Sequence, residues 1–297
     1  MDWTLALAGL GVGIVVGLTG MGGGALMTPI LVLFFGVPPV AAVSSDLAAS
    51  AVMKPFGGWV HARRGTVNWA LVRWLCVGSV PAAFLGVLLL RLLGDDEAVQ
   101  QTIRIALGVA LVLAAGGLLL KAWVSRKQGD SEDAEITVKP LPTALLGALG
   151  GLVVGLTSVG SGSLIIVALL ALYPTLRANK LVGTDLVQAI PLVTAAALGH
   201  AFFGDLHLDL AAAVLIGSIP GVLIGSRISS RAPGGLVRAA LVIVLLASAM
   251  KLFDLPTTVV GIVSGAAVVV AVAIGLYNKT RQPAPAAEPD REPVAAP

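Results

Sequence analysis

One pattern is written twice in this chain. VVGLTGMGGGALM, beginning at Val15, returns as VVGLTSVGSGSLI, beginning at Val153. SDL at Ser45–Leu47 returns as TDL at Thr184–Leu186, His61 returns as His200, and GSVP from Gly78 returns as GSIP from Gly217. The offset is 138 residues at the first pair and 139 at the other three, so one residue separates the copies' spacing. Four landmarks in one order point to an internal duplication. Duplicated membrane chains are a common build of secondary transporters, with the substrate site where the copies meet.

The repeat lies in a membrane-type sequence. Mean hydropathy is +0.96, and only 12% of residues are charged, against roughly 25% in soluble chains. Apolar segments of spanning length fall near 40–60, 69–93, 103–123, 184–203, 208–226, 235–252 and 257–277. Residues 5–36 and 143–173 differ. Each is too long for one ordinary crossing and is broken by glycine and serine, leaving arms of about 10 to 15 apolar residues. Each is expected to be a hairpin or broken helix with its tip at membrane depth. The N-terminal stretch has no basic region ahead of its apolar run, so the first hydrophobic segment is expected to stay in the mature protein.

Loop charges then set an orientation. If both broken regions return to the side they entered from, each copy crosses three times and the second copy enters inverted. With the C-terminus in the cytoplasm, Arg63, Arg64, Lys121, Lys139, Arg177, Arg227 and Arg238 fall on the cytoplasmic side. Outside fall only the basic Arg91, Arg104 and Lys251, with acidic Asp95, Asp96, Glu97, Asp205, Asp209 and Asp254. That arrangement satisfies the positive-inside rule, and single crossings by the broken regions do not. The expected fold is therefore an all-α polytopic membrane protein. It has two inverted repeats, each a Gly-broken helix plus three transmembrane helices, and one extra C-terminal transmembrane helix. The expected divisions are a first repeat at 1–124, a cytoplasmic linker at 125–140, a second repeat at 141–255, a final helix at 256–278 and a disordered cytoplasmic tail at 279–297. The expected location is the plasma (inner) membrane, with the N-terminus outside and the C-terminus cytoplasmic.

The breaks are the leading candidates for a site. A helix starting after each break, near Ala25 or Leu164, points its positive dipole end and free N–H groups at the tip, which suits a small anion. The expected substrate-binding residues are Thr19, Gly20, Gly22, Gly23 and Gly24 in the first copy. In the second they are Ser158, Gly160, Ser161, Gly162 and Ser163. The competing reading is close helix packing by small residues.

Five further residues are candidates for coupling or for the pathway. Asp46 and Asp185 are repeat-equivalent carboxylates within apolar helices, costly unless used; both also suit helix N-caps. Lys54 shares a helical face with Asp46 and Ser50. It either attracts an anion or snorkels to the helix end. His61 and His200 recur at helix ends, where histidine can titrate near neutral pH or anchor at the interface. Pro81 and Pro220, with Gly86 and Gly225, read as helix shaping and close packing. The lone Cys76 reads as a packing residue. Three scattered histidines and one cysteine make no metal site. No nucleophile motif, ATP motif, cofactor signature or nucleic-acid stripe is present.

Together these residues resemble the sulfite exporter TauE/SafE family of integral membrane transporters. The resemblance covers residues 5–255. It rests on GMGGGALMTP at Gly20–Pro29, GTDL at Gly183–Leu186, GH at Gly199–His200 and GSIPGVLIGS at Gly217–Ser226. It implies a secondary transporter, not an enzyme, exporting a small sulfur-containing anion such as sulfite or an organosulfonate by alternating access. The implied partners are that anion and the lipid bilayer, with no cofactor or nucleic acid; a homo-oligomer is compatible with it. The same residues also suit a passive anion channel, and less well an integral membrane enzyme. The second copy departs from the family pattern at Ser161, inside its glycine triplet, and at Val167, where the first copy has Pro29. Equivalent roles for the two tips are not implied.

Overall fold

A computed structural model of the chain describes residues 3–19, 24–94, 96–127, 136–176, 178–203, 208–228 and 234–280. Among them are eleven helices and no strands. They are α1 (Trp3–Thr19), α2 (Gly24–Phe34), α3 (Pro39–Arg63), α4 (Trp69–Leu93), α5 (Glu97–Lys127) and α6 (Pro140–Thr157). α7 (Leu164–Leu172), α8 (Ala178–Phe203), α9 (Leu208–Ile228), α10 (Gly234–Leu252) and α11 (Thr257–Thr280) follow.

Five helical stretches are long and apolar enough to cross a membrane: Trp69–Leu93, Glu97–Leu120, Pro140–Thr157, Lys180–Phe203 and Leu208–Gly225. α3, α10 and α11 occupy the remaining expected segments. α5 runs to Lys127. Most of the linker, and the tail after Thr280, lie outside the described residues.

The second broken region is interrupted where its glycines predict, between Thr157 and Leu164, while the first expected break, at 20–23, lies outside the described residues; the arms are unequal. α1 and α6 have 17 and 18 residues, longer than expected, while α2 and α7 have 11 and 9. At 1.5 Å per residue the short arms reach only about 14–16 Å, half of a ~30 Å hydrocarbon core. The long arms extend because their glycines stay helical and serve as contact surface. A Cβ on Gly147, Gly151 or Gly155 of α6 would stand 2.3–2.4 Å from the carbonyls of Leu75, Ser79 and Ala83 of α4. A Cβ on Gly9 or Gly13 of α1 would stand 2.6 or 2.4 Å from those of Val214 and Ser218 of α9. From the other side, Gly78 and Gly86 of α4 meet α6, as Gly217 and Gly225 of α9 meet α1. This bears out the packing role read for Gly86 and Gly225.

The helix pairing is reciprocal. α1 packs on α9 and α6 on α4, so each copy's long arm docks against a helix of the other copy. The repeat-equivalent helices α3 and α8 face each other at the centre. They run antiparallel: Gly58 meets Ile190 and Val187, whereas Thr66 beyond the end of α3 meets Gly183 near the start of α8. Leu47, Leu71, Leu75, Leu107, Leu169 and Leu192 fill the interior. Leu85, Leu89, Leu113, Leu149, Leu198 and Leu223 face outward, an apolar surface that suits lipid contact and not water.

Candidate functional site

α3 carries the centre of the site. From Val40 to Leu47 every side chain is buried, including Ser44, Ser45 and Asp46. α3 begins at Pro39 and α8 at Ala178, so Asp46 and Asp185 each sit seven residues inside a helix. Neither caps its own helix. The capping reading fails because each helix starts about two turns ahead of its carboxylate.

Asp46 joins the second break to the short arm α2. Its Oδ2 accepts a hydrogen bond from Ser158 Oγ at 2.6 Å, from the second break. The same oxygen accepts one from Thr28 Oγ1 at 3.0 Å, on the short arm α2 after the first break. Gly24, the first residue of α2, presses against this junction. A Cβ there would lie 2.2 Å from the Ser158 carbonyl and 3.0 Å from Asp46 Oδ2. Only a residue without a side chain lets α2 approach this closely.

Two turns further along α3, Lys54 is buried and donates to Ser161 Oγ of the second break. The snorkelling reading is therefore corrected. The flexible stem turns inward because a hydroxyl acceptor and two carboxylates lie inside; the ammonium interacts electrostatically with both Asp185 and Asp46. The second break thus lies along α3 with Ser158 on the acid and Ser161 on the base. Val193, at the equivalent place in α8, is apolar and buried, so the arrangement is one-sided.

The break itself is shaped by left-handed backbone. Ser158 ends α6 at φ 58°, and Gly160 and Gly162 have φ 129° and 106°, values that favour glycine at the last two. The N–H groups of Ser163, Leu164 and Ile165 all turn onto the Gly160 carbonyl, at 3.3, 3.0 and 3.4 Å. The first amides of α7, expected to face a ligand, are engaged by the break's own backbone. Ser161 is half-buried, and Ser158, Gly160, Gly162 and Ser163 are buried. Thr19 closes α1; its side chain, and Gly20, Gly22 and Gly23, lie outside the described residues.

Asp185 accepts from Gln188 Nε2 at 3.1 Å, and Gln188 Oε1 accepts from Ser79 Oγ of α4 at 3.3 Å. The two histidines diverge despite their equivalence. His61 is half-buried, with Nδ1 2.9 Å from Thr66 Oγ1, consistent with an anchoring role at the helix end. His200 is wholly buried beside the Gly155 backbone, so it does not anchor at an interface. Its neighbour Gly199 packs on Val87 and Phe84 of α4, which carries the end of α8 inward. Cys76 packs between α4 and α8, with Sγ 3.9 Å from the Gln188 carbonyl.

Thr28 and Gln188 were not singled out from sequence. Neither has a polar counterpart in the other copy, where Ile166 and Ala49 stand. A search keyed to the repeat passes over them. The available signal was the isolated polar residue in an apolar run, with Gln188 three residues after Asp185 on one helical face.

The profile of the family described as Sulfite exporter TauE/SafE matches residues 5–252, most of the chain. The chain belongs to this family. A probable membrane transporter protein, YjnA, of Bacillus subtilis (strain 168) is 40% identical over 85% of this chain and 100% of its own length. A second from the same organism, YdhB, is 26% identical over 77% of this chain and 91% of its own. The probable membrane transporter protein MJ0441 of Methanocaldococcus jannaschii is 29% identical over 76% of this chain and 86% of its own. No solved structure matches the chain. This family member is thus a multi-pass membrane transporter acting on a small substrate, and not an enzyme.

Proposed function

We propose that this TauE/SafE family member is a secondary transporter that exports a small sulfur-containing anion, sulfite or an organosulfonate. The anion binds where the second break meets α3. The observation that carries this reading is the buried Lys54 bonded to Ser161. An ammonium withdrawn from water needs anionic or acceptor partners. The Lys54 ammonium has three N–H groups, and one is used by Ser161. The Ser161 oxygen accepts that bond, which leaves its own O–H to donate. Both residues can therefore direct donors at one bound oxyanion.

Residues 1–124 and 141–255 form the two repeats in this reading, joined by a linker at 125–140 and followed by a final helix at 256–278 and a cytoplasmic tail at 279–297. The antiparallel course of α3 and α8 supports their inversion, and the reciprocal docking of α1 on α9 and α6 on α4 supports rocking of one repeat against the other. The loop charges support an inner-membrane protein with an external N-terminus and a cytoplasmic C-terminus. An inside-negative potential then favours export of an anion by about 2.3 kcal/mol per charge per 100 mV.

The test is flux in liposomes over sulfite, thiosulfate, sulfoacetate, taurine and sulfate. Saturable flux of one or more sulfur anions, lost in Lys54→Met protein that still inserts, is expected. Linear, non-saturating flux would assign a channel instead. Undiminished flux in Lys54→Met would remove the site from α3.

A further inference from the structure

The anion site leaves a buried group without a task. Asp46 is fully buried, and its two oxygens have unlike surroundings. Oδ2 has the Ser158 and Thr28 hydroxyls, while Oδ1 has no partner. A carboxylate in such a place keeps its charge only where donors or a cation compensate it on both oxygens. The helices packed on α3 are α2, α5, α8 and α9. α2 gives Asp46 only the Thr28 hydroxyl, and α8 acts through Asp185, which shares Lys54. Lys54 is a charged group that acts on Asp46. It makes no contact ion pair with it, and eight residues of α3 separate the two, about 12 Å of rise. Asp185 is better supplied, since Gln188 donates to its Oδ1.

The charges around Lys54 decide what an arriving anion does. With both carboxylates ionised, Asp46, Asp185 and Lys54 sum to one negative charge. A monoanion at Lys54 makes two, in a region closed to water. One proton on Asp46 returns the sum to one. The same break touches both ends of this system, with Ser161 on Lys54 and Ser158 on Asp46. An anion that shifts Ser161 therefore also moves the donor that serves Asp46.

We infer that Asp46 is a proton-binding site: its Oδ1 takes one proton from solvent as an anion occupies Lys54. The inference rests on the Lys54–Ser161 reading of the substrate site. Linkage makes the effect reciprocal, so the anion strengthens proton binding by the factor by which the proton strengthens anion binding.

The test reads the carboxyl C=O band in pH-difference infrared spectra of the full-length protein in lipid nanodiscs. The probe is methanesulfonate, a monoanion throughout the titration. A titrating band should be present in the native protein, absent in Asp46→Asn and retained in Asp185→Asn. Saturating methanesulfonate should move its midpoint up by about one pH unit, a tenfold coupling, and Lys54→Met should abolish that movement. Isotope-labelled aspartate identifies the band in the native chain, and Thr28→Val should shift its midpoint, so the test does not depend on Asp46→Asn folding. A spectrum without an aspartate band, or with one that Asp46→Asn retains, overturns the proton site. A band that methanesulfonate leaves in place, although liposomes transport methanesulfonate, overturns the coupling. A band that titrates while no sulfur anion binds or moves refutes the proposed function and the coupling, and upholds the proton site.

Discussion

Gly24→Ala should open the junction between α2 and the second break. The added Cβ would stand 2.2 Å from the Ser158 carbonyl, where ordinary contact begins near 3.4 Å, a shortfall of about 1.2 Å. The obstacle is backbone, so no rotamer change relieves it. α2 and the second break must separate by most of that distance. The Ser158–Asp46 bond, 2.6 Å long, would then stretch toward about 3.8 Å and cease to be a hydrogen bond. Losing one bond to a charged or buried carboxyl costs roughly 1.5–3 kcal/mol. That corresponds to a fall of about ten- to a hundredfold in the population of the joined state. Anion flux in liposomes should drop by at least tenfold, and the melting temperature in detergent should fall with it. Gly11→Ala is the control, because nothing lies within 4 Å of its Cβ position, and alanine is the better helix former by about 1 kcal/mol. It should keep native flux and melt no lower. Native flux together with native melting in Gly24→Ala would refute the close junction and the site built on it.

Other outcomes follow from the same geometry. Lys54→Met should cut sulfur-anion flux at least tenfold in protein that still inserts, and Ser161→Ala should cost about 1 kcal/mol, near fivefold, both read in liposomes. Gly162→Val should abolish flux, since a β-branched residue is strained at φ 106°. Gly78→Val places a Cβ 1.8 Å from the Ala144 carbonyl and should prevent recovery of folded protein by size exclusion, while Gly116→Ala, with nothing within 4 Å, should purify normally. With Cys76 replaced, cysteines at Thr137 and Lys279 should label only from the cytoplasm and one at Asp96 only from outside. Opposite labelling of Thr137 and Lys279 would exclude the inverted arrangement.

A helical, duplicated membrane chain with two expected glycine breaks was legible in the order of residues alone. Those properties are local: apolar runs of spanning length, glycine and serine where a helix must stop, and landmarks recurring at a fixed offset. The same local signals placed Asp46, Lys54 and Ser161 on the candidate roster. How they meet depends on the packing of the helices. Lys54 and Ser161 are 107 residues apart and Asp46 and Ser158 are 112 apart, and no periodicity encodes contacts across that distance. Whether Lys54 snorkels or turns inward depends on what lies beside α3, which is set by the docking of α6 on α4 and α8 on α3. The amides of α7 were legible as donors, but their engagement by the Gly160 carbonyl depends on backbone angles that composition does not fix. The duplication also concealed the asymmetry. Thr28, Lys54 and Gln188 have no polar twins, and the chain folds so that these unpaired residues, with one carboxylate from each copy, converge on the seam between the halves.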